Sequence, residues 1–498
     1  MISFYAPDFN LIIPELILIM TSLYLLIGGV FRKKNHSSRF RSYGRIAILS
    51  LIISLTVCIF QSNPGAQWVT FQGQIIQDDA VYFAKILILA GSAAVLIISL
   101  PSMVNEHLDS FEFPPLILLA TVGMILVVEA NDFMVLFVGL EMQGLCLYIL
   151  AALNKTNDKS SEAALKYFIL GVLSTCLYLY GTSLIYGFSG STNFEILESV
   201  VRMESMNGLS MGLFLGLIFI MAALSFKVSA VPFHMWTPDV YQGCPTPITA
   251  FIAAAPKAAA MIIFLRLMIK PFILLYGEWQ LGVVIISFAS MALGAFAALN
   301  QTDIKRLLAY SAIGQMGYVL MGIAAGNDEG IQAVFVYLTI YLVMIIGTFG
   351  CLLCLRGKGQ SGVQNIEDLS GLSTLSPKIS LALAIFMFSL AGIPPLAGFF
   401  AKLYVLKAAI SAGLFGLAIL GVLTSVVASY YYLKIVKVMY FDNIPEFPDA
   451  SYGQAIALSI EMKIVLNLCA IIILLFFIFP NPLLEMAQRA SFVFLLKG

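Results

Sequence analysis

The chain has 498 residues, 60% of them hydrophobic and 11% charged, with 27 basic side chains against 27 acidic ones. Soluble domains carry about 25% charge, so a string of soluble domains is excluded and one integral membrane bundle is expected. A net charge of zero, with no basic run beyond residues 31 to 45, gives no reason to expect a nucleic-acid partner.

A hydrocarbon core of about 30 Å takes about 20 residues of apolar helix. Fourteen segments meet that demand: 9 to 30, 44 to 61, 80 to 100, 113 to 129, 131 to 152, 163 to 188, 209 to 241, 247 to 270, 280 to 299, 303 to 324, 331 to 355, 378 to 410, 414 to 440 and 461 to 480. The expected fold is an all-α polytopic membrane protein. The first span has no basic region before it and no small-residue cleavage site, which reads as a retained helix and not a signal peptide. The connection after it holds Arg32, Lys33, Lys34, Arg39, Arg41 and Arg45, and the positive-inside rule assigns that side to the cytoplasm. Both termini then face outward. Alternation puts Lys155, Lys159, Lys305, Arg306, Arg356 and Lys358 inside and Asp78, Asp79, Glu195, Glu198, Asp328 and Glu329 outside. One inner loop departs from the pattern, with Glu106, Asp109 and Glu112 and no lysine or arginine.

Spans 7 (209 to 241) and 12 (378 to 410) are too long for one straight crossing, at roughly 50 Å each if wholly helical. Each contains proline, Pro232 in SAVPFH and Pro394 and Pro395 in AGIPPLAGFF, where lost backbone donors break or bend a helix. Interrupted helices at matching places in two halves are the mark of inverted repeats with a site near mid-membrane. Spans 4 to 8 therefore pair with spans 9 to 13, and an odd number of crossings inverts the second copy. The expected divisions are a three-helix segment at 1–112, a first five-helix repeat at 113–270, its inverted partner at 280–440, and a C-terminal helix and tail at 441–498.

Ionisable residues inside apolar spans are expensive and mark transport paths. Glu141 lies near the middle of span 5, Lys227 beside the break in span 7, Lys257 halfway along span 8, and Lys402 just after the double proline of span 12. A carboxylate near a buried lysine favours its charged form and desolvation opposes it, so changing the Glu141–Lys227 separation switches that lysine between holding and releasing a proton. Lateral transfer through water to Lys257 and then Lys402 completes a path. His234, seven residues after Lys227, has an unperturbed pKa suited to a relay, and a histidine hydrogen-bonded to the broken helix is an equal alternative. Lys407 reads as a snorkelling side chain, Asp239 as a cap or surface acid, and Arg266, Lys85, Glu129 and Asp132 as anchors at the interfaces.

Other chemistry lacks its residues. No phosphate-binding glycine loop follows a strand, no cysteine–histidine set has metal spacing, and no serine has a base nearby in sequence. The seven cysteines have no disulfide-framework spacing, and Cys351 and Cys354, in TFGCLLCLR, read as packing. No metal or cofactor site is expected in this chain.

The runs SFKVSAVPFHMWTPDVYQGCPTPITAFIAAAPKAAA, LFVGLEMQGLCLYILAAL and DIKRLLAYSAIGQMGYVLMG resemble the antiporter-like subunits of respiratory NADH:quinone oxidoreductase, complex I. Fourteen spans and a lysine in span 12 favour the branch called subunit N, or subunit 2 in organelles. The resemblance implies a subunit without redox centres that helps translocate protons, while partner subunits hold FMN, iron–sulfur clusters and the NADH and quinone sites. It also implies neighbouring antiporter-like subunits, and a bacterial inner membrane or, alternatively, a mitochondrial one. Glu141, Lys227, Lys257 and Lys402 fill the family's four charged positions. Gln315, in AIGQMGY, stands where many members carry histidine, and an amide orients water without holding the proton. The alternative to a redox-driven pump is a subunit of a multi-subunit cation/proton antiporter.

Overall fold

The computed structural model describes residues 8–31, 36–207, 210–355, 362–443 and 459–495. Arg32, Lys33, Lys34, Arg356 and Lys358 lie outside the described residues. Every one of the fourteen expected segments contains helix. The N-terminal spans are α1 (Ile13–Phe31), α2 (His36–Gln61) and α3 (Asp79–Asn105), and an antiparallel hairpin of β1 (Trp68–Thr70) and β2 (Ile75–Gln77) lies between the last two. Then come α4 (Phe113–Glu129), α5 (Phe133–Ala151), α6 (Asp158–Ser189) and α7 (Phe194–Asn207).

Span 7 is split into α8 (Met211–Lys227) and α9 (Trp236–Gly243), and span 8 into α10 (Thr246–Ala253) and α11 (Ala255–Ile269). After α12 (Tyr276–Ala298), α13 (Ile304–Ala325), α14 (Asp328–Leu353) and the single turn α15 (Leu372–Leu375), span 12 is split into α16 (Pro377–Ala391) and α17 (Ala397–Ser411). The chain closes with α18 (Phe415–Phe441), α19 (Ile460–Leu475) and α20 (Asn481–Leu495). Ten helical stretches are long and apolar enough to cross a membrane among the described residues, and α4, α8 and α16 are shorter apolar helices.

Short polar side chains fix where several spans start. Asp78 accepts from the Val81 amide at 2.9 Å and Asp303 from the Arg306 amide at 3.0 Å, each satisfying a backbone donor that the first helical turn leaves free. The two expected breaks fall at the prolines, between Lys227 and Trp236 and between Ala391 and Ala397. A third was not expected. Span 8 reads as continuous apolar sequence, yet it is interrupted at Ala254. Pro256, at the second position of α11, suits a helix start there.

Matching helix pairs in the two halves are fastened alike. A side chain at Gly123 of α4 would meet the Gln143 backbone of α5 at 2.6 Å, and one at Gly294 of α12 would meet the Gly314 backbone of α13, also at 2.6 Å. Both crossings therefore bring backbone onto backbone, the close approach that small residues permit between membrane helices.

Span 8 lies at the centre, with its whole apolar window buried, whereas the window of the first span is 28% buried and faces outward. Besides the single turn α15, two helices absent from the sequence reading, α7 and α20, lie outside the spans. Phe194, Leu197 and Val201 of α7, and Ala487, Ala490 and Phe494 of α20, form buried stripes at helical spacing, the pattern of an amphipathic helix resting on the bundle.

Candidate functional site: a row of buried ionisable groups

Glu141 and Lys227 face the same small cavity. It measures about 10 Å³ and is lined by Phe137, Leu140, Glu141, Ser174, Thr175, Tyr178, Ala223 and Lys227, close to the space one water molecule needs (roughly 10 to 15 Å³). Glu141 Oε1 accepts a hydrogen bond from Thr175 Oγ1 at 2.6 Å. No direct Glu141–Lys227 ion pair occurs among those of the described residues; the two side chains line a cavity of solvent size instead. Lys227 ends α8, in the last turn, where the helix dipole favours a cation.

His234 lies in the non-helical link of span 7. Its carbonyl accepts from the Thr237 amide at 2.9 Å, while its buried Nδ1 has no hydrogen-bond partner among the described residues. Asp239 fits its surface reading and does more: it accepts from Lys166 and from Arg306, each at 2.8 Å, tying α6 and α13 to the half-helix α9. Lys407 pairs with Glu329 at 2.9 Å and is exposed.

Lys257 and Lys402 both follow a helix break. Lys257 is 1% exposed and occupies the first turn of α11. Its Nζ lies 5.2 Å from the centroid of the Tyr241 ring and has no hydrogen-bond partner among the described residues. Lys402, 5% exposed, is also 5.2 Å from a tyrosine ring, that of Tyr318. Its Nζ, by contrast, donates to Leu390 O at 3.1 Å, Ala391 O at 3.0 Å and Ser425 Oγ at 2.9 Å. Leu390 and Ala391 end α16, so the ammonium caps the carbonyls that the break sets free. Gly392 makes room for it: φ is +85° there, and an added Cβ would come within 3.1 Å of the Lys402 side chain.

The sequence reading named the lysines and overlooked what separates them. Tyr341 donates to Ala253 O at 3.2 Å, at the break of span 8. One turn earlier on α14, Tyr337 hydrogen-bonds Gln315 Oε1. Gln315 Nε2 in turn donates to Tyr432 Oη and to Leu390 O, both at 3.3 Å, and Tyr432 also bonds Ser311. Gln315 and Lys402 thus share one backbone oxygen. Buried tyrosines at positions i and i+4 of a central span were the available signal, since a buried phenol ordinarily finds a partner.

The anchor reading of Lys85, Glu129 and Arg266 is corrected. Lys85 is fully buried against Glu15, at 2.9 Å, and Glu129, and buried Arg266 binds both oxygens of Asp78 at 2.8 Å. Asp132 caps α5 through the Met134 amide at 2.7 Å. The seven cysteines are free thiols, and Cys351 and Cys354 are packed inside the bundle. Among the described residues no cluster of histidine, cysteine and acidic side chains suits a metal ion.

The sequence profile described as NADH:quinone oxidoreductase/Mrp antiporter, transmembrane, matches residues 130–428, the stretch holding Glu141, Lys227, Lys257 and Lys402. The NADH-quinone oxidoreductase subunit N of Rhodospirillum rubrum is 48% identical over 479 residues, covering 96% of each chain. The chain belongs to this family. A chain of respiratory complex I from Thermus thermophilus is similar to this family member at 29% identity, with a TM-score of 0.79 over 96% of this chain and 100% of that one. A chain of the Mrp complex from Dietzia sp. matches at 20% identity with a TM-score of 0.82, over 96% of each chain, a likeness of fold alone.

Proposed function

We propose that this chain is a proton-translocating membrane subunit of NADH:quinone oxidoreductase, in which Glu141, Lys227, Lys257 and Lys402 carry the proton and His234 assists at the break of span 7. The observation that carries the reading is the shared cavity: a carboxylate and a terminal-turn lysine face each other across space for one water, an arrangement a purely structural ion pair does not need. Near-full-length likeness to a subunit N at 48% identity supports complex I over a multi-subunit cation/proton antiporter.

In this reading NADH, FMN, iron–sulfur clusters and quinone belong to partner subunits, and this chain supplies protonatable groups only. It sits among neighbouring antiporter-like subunits in a bacterial inner membrane, with both termini on the periplasmic side. Residues 113–270 and 280–440 are the two inverted repeats, flanked by the segments 1–112 and 441–498. Lys227 loses its proton when Glu141 moves away and regains it on return. Lys257, without an acceptor among the described residues, is the transit group, and Lys402 is the group that hands on to the next subunit.

The test uses membranes with the assembled complex. Glu141→Ala and Lys227→Ala are each expected to lower NADH-driven proton uptake by roughly tenfold or more, ~1.4 kcal/mol of barrier, with subunit content unchanged on a native gel. Wild-type uptake in both variants removes the pair from the path. Uptake that persists without NADH but follows an imposed sodium gradient selects the antiporter reading.

A further inference from the structure

Outside the row of lysines the structure holds a second group of buried ionisable side chains. Glu15 of α1, Lys85 of α3 and Glu129 of α4 meet beside β2, with exposures of 3%, 0% and 0%. Lys85 Nζ is 2.9 Å from Glu15 Oε1 and in contact with Glu129 Oε1, which also accepts from Gln77 Nε2 at 2.5 Å. Among the described residues the other titratable groups facing the cluster are Cys58 of α2 and Tyr82 of α3, a thiol and a phenol that are uncharged near neutral pH. Two carboxyl groups therefore face one ammonium.

That count does not balance in a dry interior. A net buried charge is costly unless neutralised or fully hydrogen-bonded, and hydrogen bonding here is incomplete. Glu15 Oε1 and Glu129 Oε1 meet the ammonium, while Glu15 Oε2, Glu129 Oε2 and Gln77 Oε1 are buried without a hydrogen-bond partner among the described residues. Several acceptors lack a donor, and one added proton supplies both the donor and the charge.

We infer that Glu15 and Glu129 form a proton-binding site that holds one shared proton against Lys85 and exchanges it with water on the face where the β-hairpin lies. Asp78, next in chain to Gln77, lines with Ile76, Asn131, Glu195, Glu198 and Arg266 a cavity of about 590 Å³ that opens on that face. On release, a carboxyl O–H gives its proton to a water molecule there and the cluster is left with one negative charge. On reloading, the same O–H bond forms again. The site does not rest on the lysine path, since its balance involves none of the four residues proposed above.

Infrared difference spectroscopy of the assembled complex, recorded across a pH step near neutrality in H2O and in D2O, tests the inference. The wild type should show a buried carboxylic-acid carbonyl band that shifts in D2O. Glu15→Gln and Glu129→Gln should each abolish it, because one acid against one ammonium forms an ionised neutral pair. Lys85→Met should also remove it from the pH difference while the H2O-minus-D2O difference keeps a buried acid carbonyl at both pH values, because two acids without a cation both keep their protons. Absence of the band from the wild type overturns the inference whatever the variants do, and so does its survival in either glutamine variant. Loss of NADH-driven uptake in Lys227→Ala with this band intact leaves both proposals standing, and normal uptake with the band intact removes only the lysine path.

Discussion

Lys257 and Lys402 occupy matching circumstances and are treated in opposite ways. Each is nearly fully buried, each follows a helix break, and each holds its Nζ 5.2 Å from a tyrosine ring. Lys402 has three acceptors, two of them carbonyls at the end of α16. Lys257 has none among the described residues, and stands in the first turn of α11, the end of a helix where its dipole opposes a cation. The comparison separates two uses of a buried amine: at Lys402 the charge is part of what closes a broken helix, and at Lys257 it is borne without such help.

The largest expected difference is in stability. Lys402→Met strips the donor from three acceptors; Leu390 O keeps Gln315, and Ala391 O is left unpaired at the break, where a buried polar group without a partner costs about 1 to 3 kcal/mol. It should lower the temperature at which the purified complex releases this subunit, while Lys257→Met, which deletes no hydrogen bond, should leave that temperature unchanged or raise it. An equal fall in the two variants would erase the distinction. Next in size, Ser425→Ala withdraws one acceptor from Lys402 and should cost about 1 kcal/mol in the same measurement, with NADH-driven uptake reduced less than by Lys402→Met. A Ser425→Ala variant as damaged as Lys402→Met would show that the carbonyl contacts contribute little. The smallest effect is expected for Tyr341→Phe, which frees Ala253 O beside the span 8 break and should cost no more than about 1 kcal/mol. A large loss of uptake there, with normal assembly, would mean that the phenol itself serves the Lys257 side of the row.

How much of this was legible in sequence depended on whether a residue broke a local rule. Lys227, Lys257 and Lys402 stand out because an amine in apolar sequence conflicts with its solvent, and Pro232, Pro394 and Pro395 mark breaks because they remove donors. Ala254 breaks no rule, so the interruption of span 8 was hidden and only Pro256 pointed toward it. Glu15, Lys85 and Glu129 each lie near the end of a span, where an anchoring role is the ordinary reading, and only the packing of α1, α3 and α4 brings them into contact. The amphipathic α7 and α20 alternate apolar and polar residues at helical spacing and so lack the continuous apolar run that marks a span. Gln315 was noticed for what it lacks, whereas its importance lies in its partners on spans 11, 12 and 13.

The oxygen of Leu390 serves two donors at once, Lys402 at 3.1 Å and Gln315 at 3.3 Å. A carbonyl has two lone pairs and accommodates both, but the two tethers differ in kind, one charged and on a long flexible stem, the other neutral and braced by Tyr337 and Tyr432. If the ammonium swings off, the amide alone keeps the end of α16 moored to α13. The broken helix can then lose its cation without coming adrift, which lets a charge leave the bundle while the scaffold stays in place.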